Sequence, residues 1–316
     1  MNPGPKRRGG TAVFLRAAVL LAATTLAACQ GVLFASLNAE HTPGGVEQRR
    51  DLVFDADREL ALDVYRPARA EHAPVVVFFY GGDWTHGERG WYRFVGNALA
   101  AHGLVAMVPD YRKVPDVAPD GFMADAARAV AWARTHAGEF GGEADDVFVM
   151  GHSAGGHIAA LLATDPQWLA AVGLQPRDLA GCIGLAGVYL FLPQDSDDDD
   201  MLAVFGDDEA VQERAMPLNL VRGAEPPMLL LHGQDDDEVD PANSRLLAEA
   251  LRAQHEEVEL ELYPGIDHST LLFALSPSQH AQAPVLDDVL AFVRAHPRAA
   301  NATPPAGPPG PSAAAP

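Results

Sequence analysis

The chain has 316 residues, 48% of them hydrophobic and 21% charged, with 43 acidic against 22 basic side chains and a formal net charge of −21. So acidic a surface repels nucleic-acid phosphates and anionic lipid headgroups, which excludes binding to either through a basic patch. Two cysteines, Cys29 and Cys182, exclude a disulfide framework, and the length suits one large domain with terminal extensions.

At the N-terminus, Lys6, Arg7 and Arg8 precede an apolar stretch from Thr11 to Ala28 broken only by Arg16, the layout of an export signal. Leu26-Ala27-Ala28-Cys29 then resembles a bacterial lipobox. The expectation is a signal peptide over 1–28, lipid attachment at Cys29, a lipid-anchored tether over 29–45, and an exported lipoprotein held at a membrane of the cell envelope. Since the rest of the chain is acidic, acyl chains would supply the attachment. At the far end, Asn301 to Pro316 is almost wholly Ala, Pro, Gly and Ser. Such a segment buries too little apolar area to offset ordering entropy, so 299–316 is expected to be a disordered tail.

Between the ends, 46–298, apolar strands alternate with helical patterns. Asp51 to Asp55 and Glu59 to Tyr65 predict an opening hairpin, the second strand placing Leu60, Leu62 and Val64 on one face. Further strands are predicted at Pro74 to Tyr80, Leu104 to Pro109, Val147 to Met150, Cys182 to Leu185, Met228 to His232 and Val258 to Tyr263. The middle ones are apolar on both faces, as buried parallel strands are. Helices are predicted at Tyr92 to His102, Phe122 to Phe140, Ala154 to Thr164, Pro241 to Gln254 and Ala283 to His296. This alternation implies an α/β fold, a mostly parallel twisted sheet of about eight strands with helices on both faces. Ligands bind such sheets beyond the carboxyl ends of the strands.

One strand-to-helix junction carries chemistry. Gly151-His152-Ser153-Ala154-Gly155 has the form of a nucleophile elbow, in which a tight turn lifts a serine hydroxyl above the sheet and flanking glycines let strand and helix approach. Serine is a weak nucleophile at neutral pH and needs a base, which in turn needs an orienting group. Of twelve histidines, His268 follows the last predicted strand, where a side chain can swing over the sheet edge. Asp235, Asp236 and Asp237 follow the strand that ends at His232-Gly233 and could reach that imidazole; spacing alone does not choose among them.

His232-Gly233 with Asp236 and Val239 resembles the His-Gly-x-x-Asp-x-x-Val pattern of α/β-hydrolases, and Tyr80-Gly81-Gly82-Asp83-Trp84 resembles the His-Gly-Gly-x-Trp oxyanion loop of the carboxylesterase, hormone-sensitive-lipase-like and kynurenine-formamidase-like members. With Asp110-Tyr111-Arg112, the elbow and the histidine loop, the resemblance spans roughly residues 50 to 296. It implies an α/β-hydrolase fold and a serine hydrolase that cleaves carboxylic esters through an acyl-enzyme, with Ser153, His268 and Asp236 catalytic and Asp235 as the alternative acid. Backbone amides of Gly82, Asp83 and Ala154 would hold the oxyanion. Tyr80 departs from the motif histidine and would brace the loop in another way, and the Asp83 carboxylate would disfavour anionic acyl groups. No cofactor or metal is called for, and the partner is a small-molecule ester. An arylformamidase or other amide hydrolase, and a non-catalytic binding protein on the same fold, are the alternatives.

Trp84, His152 and Tyr189 are expected in the substrate pocket; Trp91 and Tyr92, which follow the oxyanion loop closely, read as lining an acyl or alcohol pocket or as packing under the helix. The long connection over 188–226 reads as a small cap or as a surface excursion. The acidic run Asp195 to Asp200 lacks the turn glycine and terminal glutamate of a calcium loop, so it reads as a solvated surface, as do Asp237, Glu238 and Asp240. His152, His157 and His232 lack metal-ligand spacing and read as packed or hydrogen-bonded, and Cys182, in an apolar strand, as a buried inert thiol.

Overall fold

A computed structural model describes residues 34–39, 43–191 and 199–298. Its eight strands are β1 (Val46–Asp55), β2 (Leu60–Pro67), β3 (Ala73–Phe79), β4 (Val105–Pro109), β5 (Gly142–His152), β6 (Gly181–Leu185), β7 (Met228–Gly233) and β8 (Val258–Tyr263). They form one sheet in the order β1-β2-β4-β3-β5-β6-β7-β8. The β1–β2 and β2–β4 pairs are antiparallel, and every pair from β4 across to β8 is parallel.

Burial follows composition. Val75 to Phe79 of β3 and Val147 to Met150 of β5 are sealed on both faces, as their unbroken apolar runs require. On the edge strand β8, Glu259 and Glu261 face solvent while Val258, Leu260 and Leu262 turn partly inward, the period-two pattern of a half-covered strand.

The helices are α1 (Arg93–Ala101), α2 (Pro119–His136), α3 (Ala154–Thr164), α4 (Pro166–Ala170), α5 (Asp199–Phe205), α6 (Glu209–Ala215), α7 (Ala242–Ala253), α8 (His268–Phe273) and α9 (Val285–Ala295). Every residue of α3 is buried, because the sheet packs on one side of it and the 199–220 segment lies nearby. Strand β5 starts five residues before the predicted Val147, since its ladder with β3 already pairs Gly142 with Ala73. Helix α2 starts at Pro119, whose missing N–H costs nothing in a first turn.

One expectation fails. The stretch 29–45 is not a plain tether in its described part: residues 34–38 form a helical turn, with Phe34 and Leu37 only 9% and 5% exposed against the core. The proposed signal peptide with Cys29, and the tail from 299, lie outside the described residues. So does the first part of the acidic run, Asp195 to Asp198, while α5, α6 and the turn Pro217–Leu220 carry the rest of the 188–226 connection back to the sheet. Among the described residues no helix is long and apolar enough to cross a membrane, and no cluster of three potential metal ligands occurs. Cys182 is buried as a free thiol, its pKa pushed up to about 12 by desolvation.

Candidate active site

Strand β5 delivers Ser153 into the turn before α3 with φ 55° and ψ −124°, a left-handed conformation that costs a non-glycine residue energy. Packing around the turn enforces it. A Cβ on Gly155 would lie 2.0 Å from the Phe79 carbonyl, so only glycine lets α3 cross this close to β3. The Ser153 amide donates to Leu185 O at 2.9 Å, fixing the turn to β6.

His268 opens α8 just beyond β8, and its Nδ1–H donates to Asp236 Oδ2 at 2.8 Å. Of the three candidate acids, Asp236 is the one brought to the imidazole, and its side chain is wholly shielded from solvent. Both of its oxygens are engaged. Oδ1 accepts the amides of Glu238 at 3.0 Å and Val239 at 2.8 Å, while Oδ2 also faces His232 Nε2 at 3.2 Å. His232 Nε2 donates to Val239 O at 2.9 Å, so its Nδ1 accepts the Ser244 hydroxyl at 2.7 Å. Burial alone would raise the Asp236 pKa, but hydrogen bonds from His232, His268 and Val239 hold it well below the usual carboxylate range. For His268, burial would lower the pKa; the Asp236 carboxylate, then Glu238 and Asp83, raise it above the ordinary histidine value.

With Nδ1 engaged, Nε2 is the nitrogen left for Ser153. Ser153 and His268 line two adjoining cavities together, one of about 120 Å³ and one of about 200 Å³. Among the described contacts the hydroxyl makes no hydrogen bond to the imidazole, an arrangement that tightens in many hydrolases only when substrate engages.

The oxyanion loop follows β3. Gly82, Asp83 and Trp84 all have positive φ, at 119°, 49° and 57°. This costly backbone is held from outside: the Val114 amide donates to Trp84 O at 3.0 Å, and Trp84 Nε1–H donates to His157 Nδ1 at 3.2 Å. His157 Nε2–H in turn donates to Ala215 O at 2.7 Å, which ties loop, nucleophile helix and α6 together. Burial keeps His157 neutral by lowering its pKa to about 4. Tyr80, standing where the motif has histidine, braces the loop by donating to Asp110 Oδ1 at 2.8 Å, and Arg89 holds the other oxygen of Asp110. Lys113 donates to the Tyr80 hydroxyl at 3.0 Å. Ala154 is the first residue of α3, so its N–H has no intrahelical partner.

Of the expected pocket residues, Trp84 borders the larger cavity and His152 the smaller. His152 Nε2–H donates to His268 O at 3.1 Å, and burial together with the neighbouring imidazole lowers its pKa to about 3. Tyr189 is a correction. It lines neither cavity; its ring is fully buried against Gly184 and Gly187, and the preceding Val188 borders the larger cavity instead. Asp237, Glu238 and Asp240 are exposed, as the solvated reading has them, and Glu238 in addition borders both cavities and Asp240 the larger. Trp91 and Tyr92, close after the oxyanion loop, line the smaller cavity. Sequence reasoning missed Phe34 and Phe273, which line it too, and Met201 of α5, which lines the larger.

Known proteins share these features. Residues 62–170 match the BD-FAE family model, and residues 123–298 match the model of the prolyl oligopeptidase family. Esterase LipC of Mycobacterium tuberculosis is 31% identical over 76% of this chain and 65% of its own length. Isoprenylcysteine alpha-carbonyl methylesterase ICME of Arabidopsis thaliana is 27% identical over 78% of this chain and 62% of its own. The chain thus spans under two thirds of these curated relatives. Esterase 2 of Thermogutta terrifontis, solved with butyrate bound, is 26% identical with a TM-score of 0.65, covering 80% of this chain and 94% of that one. With more than half its length matched by one family model, on a sheet shared with solved esterases, the chain belongs to the prolyl oligopeptidase family and has the α/β-hydrolase fold.

Proposed function

We propose that this protein is a carboxylic ester hydrolase that works through an acyl-enzyme. Ser153 Oγ attacks the ester carbonyl as His268 Nε2 takes its proton, and the charged imidazole is stabilised by Asp236 across the 2.8 Å bond. The tetrahedral oxyanion is received by the amides of Gly82, Asp83 and Ala154. His268 then returns the proton to the leaving alcohol, and water repeats the sequence in reverse order on the acyl group. The observation that carries this reading is the buried, fully hydrogen-bonded Asp236 behind His268, at the rim of the cavities that Ser153 borders. Esterases and methylesterases among the relatives support the choice of ester chemistry.

The deciding experiment measures kcat/KM on p-nitrophenyl acyl esters and on N-formylkynurenine. Ester turnover should dominate, and Ser153→Ala should lose it by about 10⁴-fold or more with an unchanged melting temperature. Retained turnover in that variant, or a strong preference for the formamide, refutes the assignment.

Lipid attachment at Cys29 is part of the same proposal, supported by the export-signal layout before it. Phe34 follows Cys29 by only five positions, a reach of at most about 18 Å, so an acylated chain would hold the cavity close to the bilayer. Cys29→Ala should release the protein from membranes and abolish incorporation of labelled palmitate; unchanged incorporation refutes the anchor.

A further inference from the structure

The helical turn 34–38 lies apart from the sheet, yet its Phe34 ring borders the same cavity as Ser153 and His268. Its position is set by built contacts. Phe34 stacks on Trp91 with ring centroids 5.4 Å apart, leans on Tyr92 at 5.1 Å and meets the edge of Phe273 at 6.0 Å. Asn38 uses both ends of its amide: Nδ2 donates to Gly90 O at 3.0 Å and Trp91 O at 2.9 Å, and Oδ1 accepts the Phe94 amide at 3.1 Å. Gly90 and Trp91 lie between the oxyanion loop and α1, and Phe94 lies in the first turn of α1. Tyr92 then stacks on Tyr80, at 5.3 Å, beneath that loop. A spacer between an anchor and a domain needs none of this, whereas a pocket wall does.

The cavity behind Phe34 is small, about 120 Å³, against roughly 300–1,000 Å³ for pockets that enclose drug-sized ligands. Trp91, Tyr92, Leu272 and Phe273 complete its apolar side.

We infer that Phe34, carried by the N-terminal turn and pinned by Asn38, is a specificity-determining wall of the substrate cavity that restricts it to a short acyl or alkyl group. This rests on the ester hydrolase reading above. Removing the ring takes away one wall of the cavity. Pocket discrimination among homologous chains typically runs to tens of fold per step in size, so the effect is large enough to measure.

The test uses the full chain and two substrate series, p-nitrophenyl esters from acetate to decanoate and acetate esters from ethyl to octyl. In Phe34→Ala, the kcat/KM ratio of long to short substrate should rise about tenfold in one of the two series. Phe34→Leu should give a smaller rise. Asn38→Ala, which leaves the ring but removes its pins, should shift the same series in the same direction and supplies the answer if Phe34→Ala does not fold. Ratios unchanged in both series, in folded Phe34→Ala or in Asn38→Ala, overturn the inference. Failure of the wild-type chain to turn over any ester would instead overturn the reading beneath it.

Discussion

Asp236 is held by near neighbours in the chain, His232 four residues before it and the amides of Glu238 and Val239 just after it, so its loop is close to self-sufficient. The oxyanion loop is the reverse. Trp84 is held by Val114 and by His157, 73 residues away, while Tyr80 depends on Asp110 and Arg89. An arm built from local bonds forms wherever its short motif folds, but an arm built from distant bonds forms only once the sheet, α3 and α6 have assembled. The acid arm should therefore fail chemically when broken, and the oxyanion arm should fail geometrically.

The largest expected effect is chemical. Asp236→Asn keeps the shape of the loop but cannot hold the imidazole in the required tautomer, and kcat should fall about 10⁴-fold. A loss under tenfold would show that another acid serves. His157→Phe keeps the volume near Trp84 but removes both hydrogen bonds, releasing three consecutive residues of positive φ. A drop of about 10- to 100-fold in kcat, with KM little changed, is expected, below the 10²- to 10³-fold typical of losing an oxyanion donor outright. A fall confined to KM would place the loop in binding and not in catalysis.

The smallest effect is the pH profile. Only a neutral His268 accepts the serine proton, and its pKa is raised, so kcat/KM should climb with pH through one limb centred above 6.5. His152 and His157, lowered to about 3 and about 4, stay neutral throughout that range and add no second limb. Stability runs the other way. A raised folded-state pKa means that the His268–Asp236 pair stabilises the fold fully below about 6.5 and loses that contribution as pH rises through the His268 value. The lowered Asp236 pKa adds stability above about 3.9 that is lost only in stronger acid. In Asp236→Asn the residual activity should show its limb shifted downward; an unmoved midpoint would mean that Asp83 or Glu238 sets the histidine pKa.

The same contrast explains what could be read from the sequence. The elbow, the strand alternation and the Asp236 loop are local patterns, and the sheet reproduces them to within a few residues. His157 could be recognised as hydrogen-bonded, but not its partners Trp84 and Ala215, because nothing in chain spacing brings them together. Glu238 is exposed like its acidic neighbours, and nothing in chain spacing shows that it also borders both cavities. Tyr189 sat in an apolar island beside the expected cap, and only the close pass over Gly184 and Gly187 reveals it as core. Phe34 and Leu37, one helical turn apart and followed by Asn38, held a faint signal of structure that the lipobox-like run upstream obscured.

The N-terminal turn has a practical consequence. A version trimmed to begin at Val46, where the sheet starts, would retain every strand and Ser153, His268 and Asp236, yet lack one side of the cleft. Substrate profiles gathered on such a truncation would describe a more permissive catalyst than the intact molecule, and any inhibitor optimised against it would carry bulk that the native cleft refuses.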